Sequence, residues 1–311
     1  MYKTEDVIQP SESPCQSHLL HLIRKENQSE LAEAEVHRKQ RRRKRWLIDS
    51  RKKTCMLYLQ ADYAFYSKFG SEEAAINVMT GHIQQLNAIY RETDFNLDGM
   101  PDDIQFMIKR VKVHTKNRTV DPSYPYDGHF EVIKFLEVFS EGDYDSFCLA
   151  YLFTYRDFEG GTLGLAWTGD LKNAGGVCEK KGHFRGGIKS LNTGIITLLN
   201  YGKLVSPAVS HVTMAHEIGE FLNKLKLDST VFMSNFIAGH NFGSPHDPDN
   251  DKTCTPGGDD GNFIMFARAT AGDRRNNNKF SQCSLKSINP VLSVKARDTY
   301  GCFQGKESTT S

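Results

Sequence analysis

Three histidines and one glutamate carry the first chemical signal in this chain of 311 residues. His216 and Glu217 are adjacent, and His240 and His246 follow, spaced as H-x-x-G-x-x-H around Gly243. Imidazole is the commonest protein ligand for zinc, and a glutamate beside it can take a proton from a metal-activated water. Glycine permits the turn that returns His246 toward such a metal. A histidine four residues after His216 would stand one turn up the same helix face, yet Glu220 holds that position. Deleting residues 220–239 makes the text H-E-I-G-H-N-F-G-S-P-H-D, an extended zinc signature in register. Further on, Gly261-Asn262-Phe263-Ile264-Met265-Phe266 sets a methionine in a tight apolar turn. Ordinary polar histidines near Gly-rich turns would have no reason to share this frame.

The intervening segment decides whether the signature can work. In a continuous helix His240 would lie roughly 36 Å from His216, at about 1.5 Å per residue. Looping the segment out costs only a few kcal/mol of closure entropy, but the helix would still need its second ligand where Glu220 stands. A rebuilt set of His216, Glu220 and His246 is the chemical alternative, because carboxylate oxygen also binds zinc. Phe221, Leu222 and Leu225 can prolong the helix until Asp228-Ser229-Thr230 break it. The coding text for Gly219-Glu220-Phe221 can open with an intron donor and that for Ala238-Gly239 can close with an acceptor, so an in-frame retained intron is one origin for residues 220–239.

The elements that must position these residues follow from periodicity. Residues 55–60 alternate as a strand, 72–90 carry apolar residues at helical spacing, and 104–113 alternate again. A helix over 130–139, a buried strand over 146–153, an exposed edge strand over 161–167 and a strand over 193–199 come next. Ser206-Pro207 suits the entrance of the helix that bears His216. Strands alternating with long helices predict an α/β domain with a mixed twisted sheet. Residues 1–45 are polar, with a helical patch at Leu19, Leu20, Leu22 and Ile23, and end in the basic run Arg42-Arg43-Lys44-Arg45. That run reads as a site for a secretory-pathway processing protease, which makes 1–45 the remnant of a propeptide, 46–303 the catalytic domain and 304–311 a tail.

The balance of 39 Lys and Arg against 38 Asp and Glu argues against a polyanion as the main partner, so no nucleic acid is expected. No apolar run is long enough to span a membrane. Cys15 stands apart, and Cys55, Cys148, Cys178, Cys254, Cys283 and Cys302 form an even set open to fifteen pairings or to reduced, buried thiols. Two glycosylation sequons, at Asn27 and Asn117, agree with an oxidising compartment. The polar start lacks a signal-peptide core, and a fragment missing its true N-terminus reconciles that with the cysteines.

With these residues in view, the stretch 53–303 resembles the Kuzbanian, or alpha-secretase, branch of the ADAM metalloproteases. The likeness is carried by Tyr144-Asp145-Ser146-Phe147-Cys148-Leu149-Ala150-Tyr151, Ser190-Leu191-Asn192-Thr193-Gly194-Ile195-Ile196-Thr197 and Asn276-Asn277-Asn278-Lys279-Phe280-Ser281. The resemblance implies a metzincin-type metalloprotease domain with a mostly irregular C-terminal subdomain. It implies one catalytic zinc held by His216, His240 and His246, with Glu217 as general base and Met265 as an apolar floor. It pairs Cys55 with Cys148, Cys178 with Cys302 and Cys254 with Cys283, and makes Cys15 a candidate cysteine switch for a zymogen. A membrane-anchored sheddase of cell-surface proteins, Notch-type receptors included, is the expected activity, reached through the secretory pathway. An inactive pseudoprotease or mis-spliced product is the alternative, because residues 220–239 part the ligands.

Overall fold

β-rich apolar runs lay down one sheet, and helices with a single apolar stripe cover it. The computed structural model describes residues 52–184, 187–219, 241–295 and 302–304, all within the unit Ile48–Ser311. Cys15, the Asn27 sequon, the patch at Leu19, the basic run Arg42 to Arg45, His240 and the segment 220–239 lie outside them.

Strand β1 (Thr54–Ala61) leads into helix α1 (Tyr63–Phe69), which Asp62 opens by accepting the Phe65 N–H at 2.8 Å and Gly70 closes in the left-handed region at φ 78°. Helix α2 (Glu72–Tyr90) starts at Ser71, whose side chain accepts the Ala74 N–H, and buries Ala75, Met79, Ile83, Leu86 and Tyr90 on one stripe. Then come β2 (Gln105–Val113), α3 (Val132–Phe139), β3 (Leu149–Thr154), β4 (Gly164–Ala166), the hairpin strands β5 (Gly182–Phe184) and β6 (Gly187–Lys189), β7 (Thr193–Thr197) and a second hairpin pair, β8 (Leu199–Asn200) and β9 (Lys203–Leu204). Helix α4 (Pro207–Gly219), helix α5 (Gln282–Lys295) and strand β10 (Phe303–Gln304) complete the described chain.

β2, β1, β3 and β7 lie parallel in that order, β4 closes the far side antiparallel to β7, and β10 pairs antiparallel with the first residues of β1. Parallel strands covered on both faces need apolar residues at every position, and β3 and β7 are buried throughout. On one face α2 and α4 pack with Leu57, Leu59, Tyr151 and Phe153; on the other, α3 packs with Tyr58, Phe147, Leu152 and Trp167. The mixed α/β sheet of the sequence reading is thus the observed fold.

Two expectations are corrected. The edge strand at 161–167 shrinks to Gly164–Ala166 after a short turn at Glu159–Gly161. It ends the sheet, but its side chains are buried rather than exposed, Leu165 and Ala166 at 2% and 1%. The strand expected over 193–199 breaks after Thr197, where its hydroxyl bonds Arg156 O and accepts the Leu199 N–H, turning the chain into the β8–β9 hairpin. The Asn117 sequon falls in an exposed turn after β2, where Thr119 Oγ1 donates to Asn117 Oδ1. No helix among the described residues is long and apolar enough to cross a membrane.

Candidate metal centre

Helix α4 is aimed by its ends and its buried face. Pro207 opens it, where a missing N–H costs nothing. Met214, Ala215 and Ile218 are fully buried, Tyr90 Oη donates to the Ala215 carbonyl at 3.2 Å, and His82 Nε2 meets Ser210 Oγ at 3.0 Å. This anchoring to α2 turns His216 and Glu217 inward, 9% and 6% exposed. Gly164 on β4 makes room: a Cβ there would stand 2.5 Å from Glu217 Cγ.

His216 Nδ1 lies 2.6 Å from the Ile264 carbonyl, in the turn that holds the fully buried Met265. A carbonyl can only accept, so Nδ1 carries the proton and Nε2 keeps its lone pair, the tautomer a metal ligand needs. The His216 and His246 rings face one another, centroids 5.5 Å apart and tilted by 40°. Burial pushes His216 down to about 3 and His246 to about 4, so both are neutral near pH 7. Burial pushes the Glu217 carboxyl up to about 8, and a cation beside it would favour the carboxylate. Two neutral imidazoles, one with its outer nitrogen already engaged, and a neighbouring carboxyl make a donor set that fits a divalent metal.

His246 is brought back by Gly243, at φ 84°, where a Cβ would strike Gly169 O at 2.5 Å and Val291 Cγ2 at 2.6 Å. The next residue fixes the turn. Asp247 N–H donates to the Met265 carbonyl at 2.8 Å, and its buried carboxylate accepts from Ser281 Oγ and, at 2.8 Å, from Ser284 Oγ on α5. Burial pushes Asp247 up to about 6 despite these donors.

Although His240 lies outside the described residues, its neighbours reveal how the chain re-enters. The Phe242 N–H donates to the Ile218 carbonyl at 3.0 Å. This bond ties the last turn of α4 to the chain beyond the segment 220–240, which lies outside the described residues. Phe242 is fully buried against Tyr90 and Phe106, at ring distances of 5.6 and 6.0 Å, so core packing holds the junction as well.

The six domain cysteines come together as Cys55–Cys148, Cys178–Cys302 and Cys254–Cys283. A cavity of about 330 Å³ lies beside the start of α4, lined by Leu163, Leu204, Val209 and Thr270 among others. Sequence reasoning gives no site role to Gly164, Tyr151, Ser281 or Ser284, which stand far from the zinc motif in the chain. Asn241 and Asp247 stand inside the motif text and carry the only local signal.

Comparison with known proteins follows the same outline. The model of metallo-peptidase family M12 matches residues 51–220, and that of the M12B reprolysin-like metallo-peptidases matches 235–294, so the matches meet the split segment from either side. The chain is 44% identical over 271 residues to the Homo sapiens disintegrin and metalloproteinase domain-containing protein 10, covering 84% of this chain and 32% of that protein. It is 39% identical over 267 residues to the Caenorhabditis elegans homolog of protein 10, covering 78% and 26%. The homolog of protein 17 from the same organism is 31% identical over 291 residues, covering 84% and 39%. The chain spans about a third of the length of the curated relatives it matches.

Proposed function

Because the chain belongs to metallo-peptidase family M12, we propose that it is a zinc-dependent endopeptidase whose metal is held by His216, His240 and His246. The observation that supports this is the Phe242 to Ile218 bond, which ties the chain just after the H-x-x-G-x-x-H histidine to the end of the helix that bears His216 and Glu217. Zinc in the site would supply a Lewis acid that polarises a peptide carbonyl and acidifies water. Glu217, buried beside His216 and cleared by Gly164, takes the proton of the attacking water and delivers it to the leaving amine. β4 is the last strand of the sheet, and we read it as the strand against which an extended peptide would align. The 330 Å³ cavity next to it would take a substrate side chain.

The substrates proposed are membrane proteins at the cell surface, shed by cleavage near the membrane, Notch-type receptors among them. Support comes from the relatives, named as disintegrin and metalloproteinase domain-containing proteins, and from disulfides that suit the secretory route. Cys15 as a zymogen switch and cleavage after Arg45 belong to the same proposal.

The test is zinc content and cleavage of a quenched peptide by the chain from Trp46, with and without residues 220–239. The expected result is about one zinc per chain and cleavage in both forms. Zinc and cleavage only in the shortened form would make the chain as written the inactive alternative, and neither in either form would defeat the reading.

A further inference from the structure

The residue that follows His240 is held to the sheet by more bonds than any helix could give it. Asn241 is fully buried, and its Nδ2 donates to the Trp167 carbonyl at 2.9 Å and reaches the Thr193 carbonyl at 3.5 Å. Two carbonyl acceptors can be met only by the amide nitrogen, so Oδ1 must face the other way, where the Tyr151 hydroxyl donates to it at 2.7 Å. The Asn241 carbonyl accepts the Val177 N–H at 2.7 Å. Three strand or loop segments and the centre of β3 therefore grip one residue.

Glycines clear the space this grip occupies. A Cβ at Gly194 would stand 2.5 Å from the Tyr151 ring, and Cβ atoms at Gly169 and Gly176 would stand 2.4 and 2.6 Å from the Asn241 carbonyl oxygen. Three separate positions that admit no side chain converge on the Tyr151–Asn241 pair. Nothing in the catalytic chemistry uses either residue.

We propose that Tyr151 and Asn241 are positioning residues for the metal centre: the sheet, through the Tyr151–Asn241 bond, sets where the chain re-enters beside His216 and His246, independently of the continuity of α4. The inference rests on the reading of those histidines as metal ligands. The described chain after residues 220–240 is fastened at Asn241 to β3, to β7 and to Trp167 just past β4, and not only to the end of α4. Outer residues that orient ligands typically change metal affinity 10- to 100-fold when removed.

The test measures the zinc dissociation constant by chelator competition, and the melting midpoint of the metal-free protein, in the wild type and three variants. Tyr151→Phe deletes only the donor hydroxyl. Gly194→Ala keeps the hydroxyl group but displaces it with the ring, since the added Cβ would stand 2.5 Å from the ring and 2.8 Å from the hydroxyl oxygen. Tyr144→Phe is the control, because it removes another buried hydroxyl bond, to Phe139 O at 3.2 Å, remote from the centre. Tyr151→Phe and Gly194→Ala are expected to weaken zinc binding by about tenfold or more. Tyr144→Phe is expected to leave zinc affinity unchanged while lowering the metal-free midpoint as Tyr151→Phe does. Equal zinc affinity in wild type and Tyr151→Phe would overturn the positioning role and leave the metal site standing. A wild type that holds no zinc would take down the metal-site reading itself, and this inference with it.

Discussion

At the level of single residues, the buried imidazoles divide by which carbonyl holds Nδ1. His216 gives Nδ1 to the carbonyl of Ile264, whereas His82 gives Nδ1 to Val78 O of its own helix at 2.8 Å and meets Ser210 of α4 with Nε2. Burial, with His211 beside it, pushes His82 down to about 4 from its ordinary 6.5. The unfolded chain therefore takes up a proton near pH 6.5 that the folded chain resists until pH 4, and stability falls as pH drops through that window. At pH 5 the loss from this residue is about 2 kcal/mol. Urea midpoints at pH 7.5 and 5 should thus drift apart more in the wild type than in His82→Gln, and an equal drift would show that His82 takes up its proton as readily in the fold as in the unfolded chain. For Glu217→Gln the prediction is different in kind: zinc stays bound while peptide cleavage drops by roughly 10²- to 10⁴-fold, read from kcat at saturating substrate. The sequence displays His216, Glu217, His246 and Met265 because their types and spacing are local. It conceals Tyr151, which lies 90 residues from the Asn241 it holds.

Among elements, legibility tracks length and periodicity. α2 is read within a residue of its observed ends because an apolar stripe runs its whole length and Ser71-Glu72-Glu73 marks its start. The fully buried β3 shows as an unbroken apolar run, though the strand begins at Leu149 rather than 146. α1 escapes sequence reading despite a cap at each end, because seven residues hold too few turns for a period to register. α5 escapes for another reason: it is polar on most sides and carries Pro290 within it, which ordinarily argues against a helix interior. The turn at Gly243 offers a sharp prediction at this scale. Gly243→Ala must accommodate both a positive φ and a Cβ against Gly169 O and Val291, so it should lower stability by about 2 kcal/mol or more and weaken zinc binding with it. A calorimetric midpoint equal to wild type would mean the turn can relax around a methyl group.

Over the whole molecule, three disulfides bind distant parts of the chain. Cys178–Cys302 spans 124 residues and Cys254–Cys283 spans 29. If constraint of the unfolded chain dominates, replacing the longer pair with alanines should cost more, by about 1 kcal/mol, within a usual range of about 2–5 kcal/mol for either. Denaturant midpoints of the two double variants compare them directly, and the reverse order would point to local strain or packing instead. The long bridge works with Lys295, which pairs with Glu179 at 2.9 Å and reaches the Gly175 carbonyl at 2.8 Å, so α5 is clasped to the loop that carries Cys178.

The pairing of β10 with β1 places Gln304 opposite Thr54. A short linker could join those two strands, and the bond from the Phe242 N–H to the Ile218 carbonyl draws together two further points that lie far apart in the sequence. The domain is then topologically close to a ring: a circular permutant opened between Gly219 and His240, its β10 run on into β1, should fold around the same sheet.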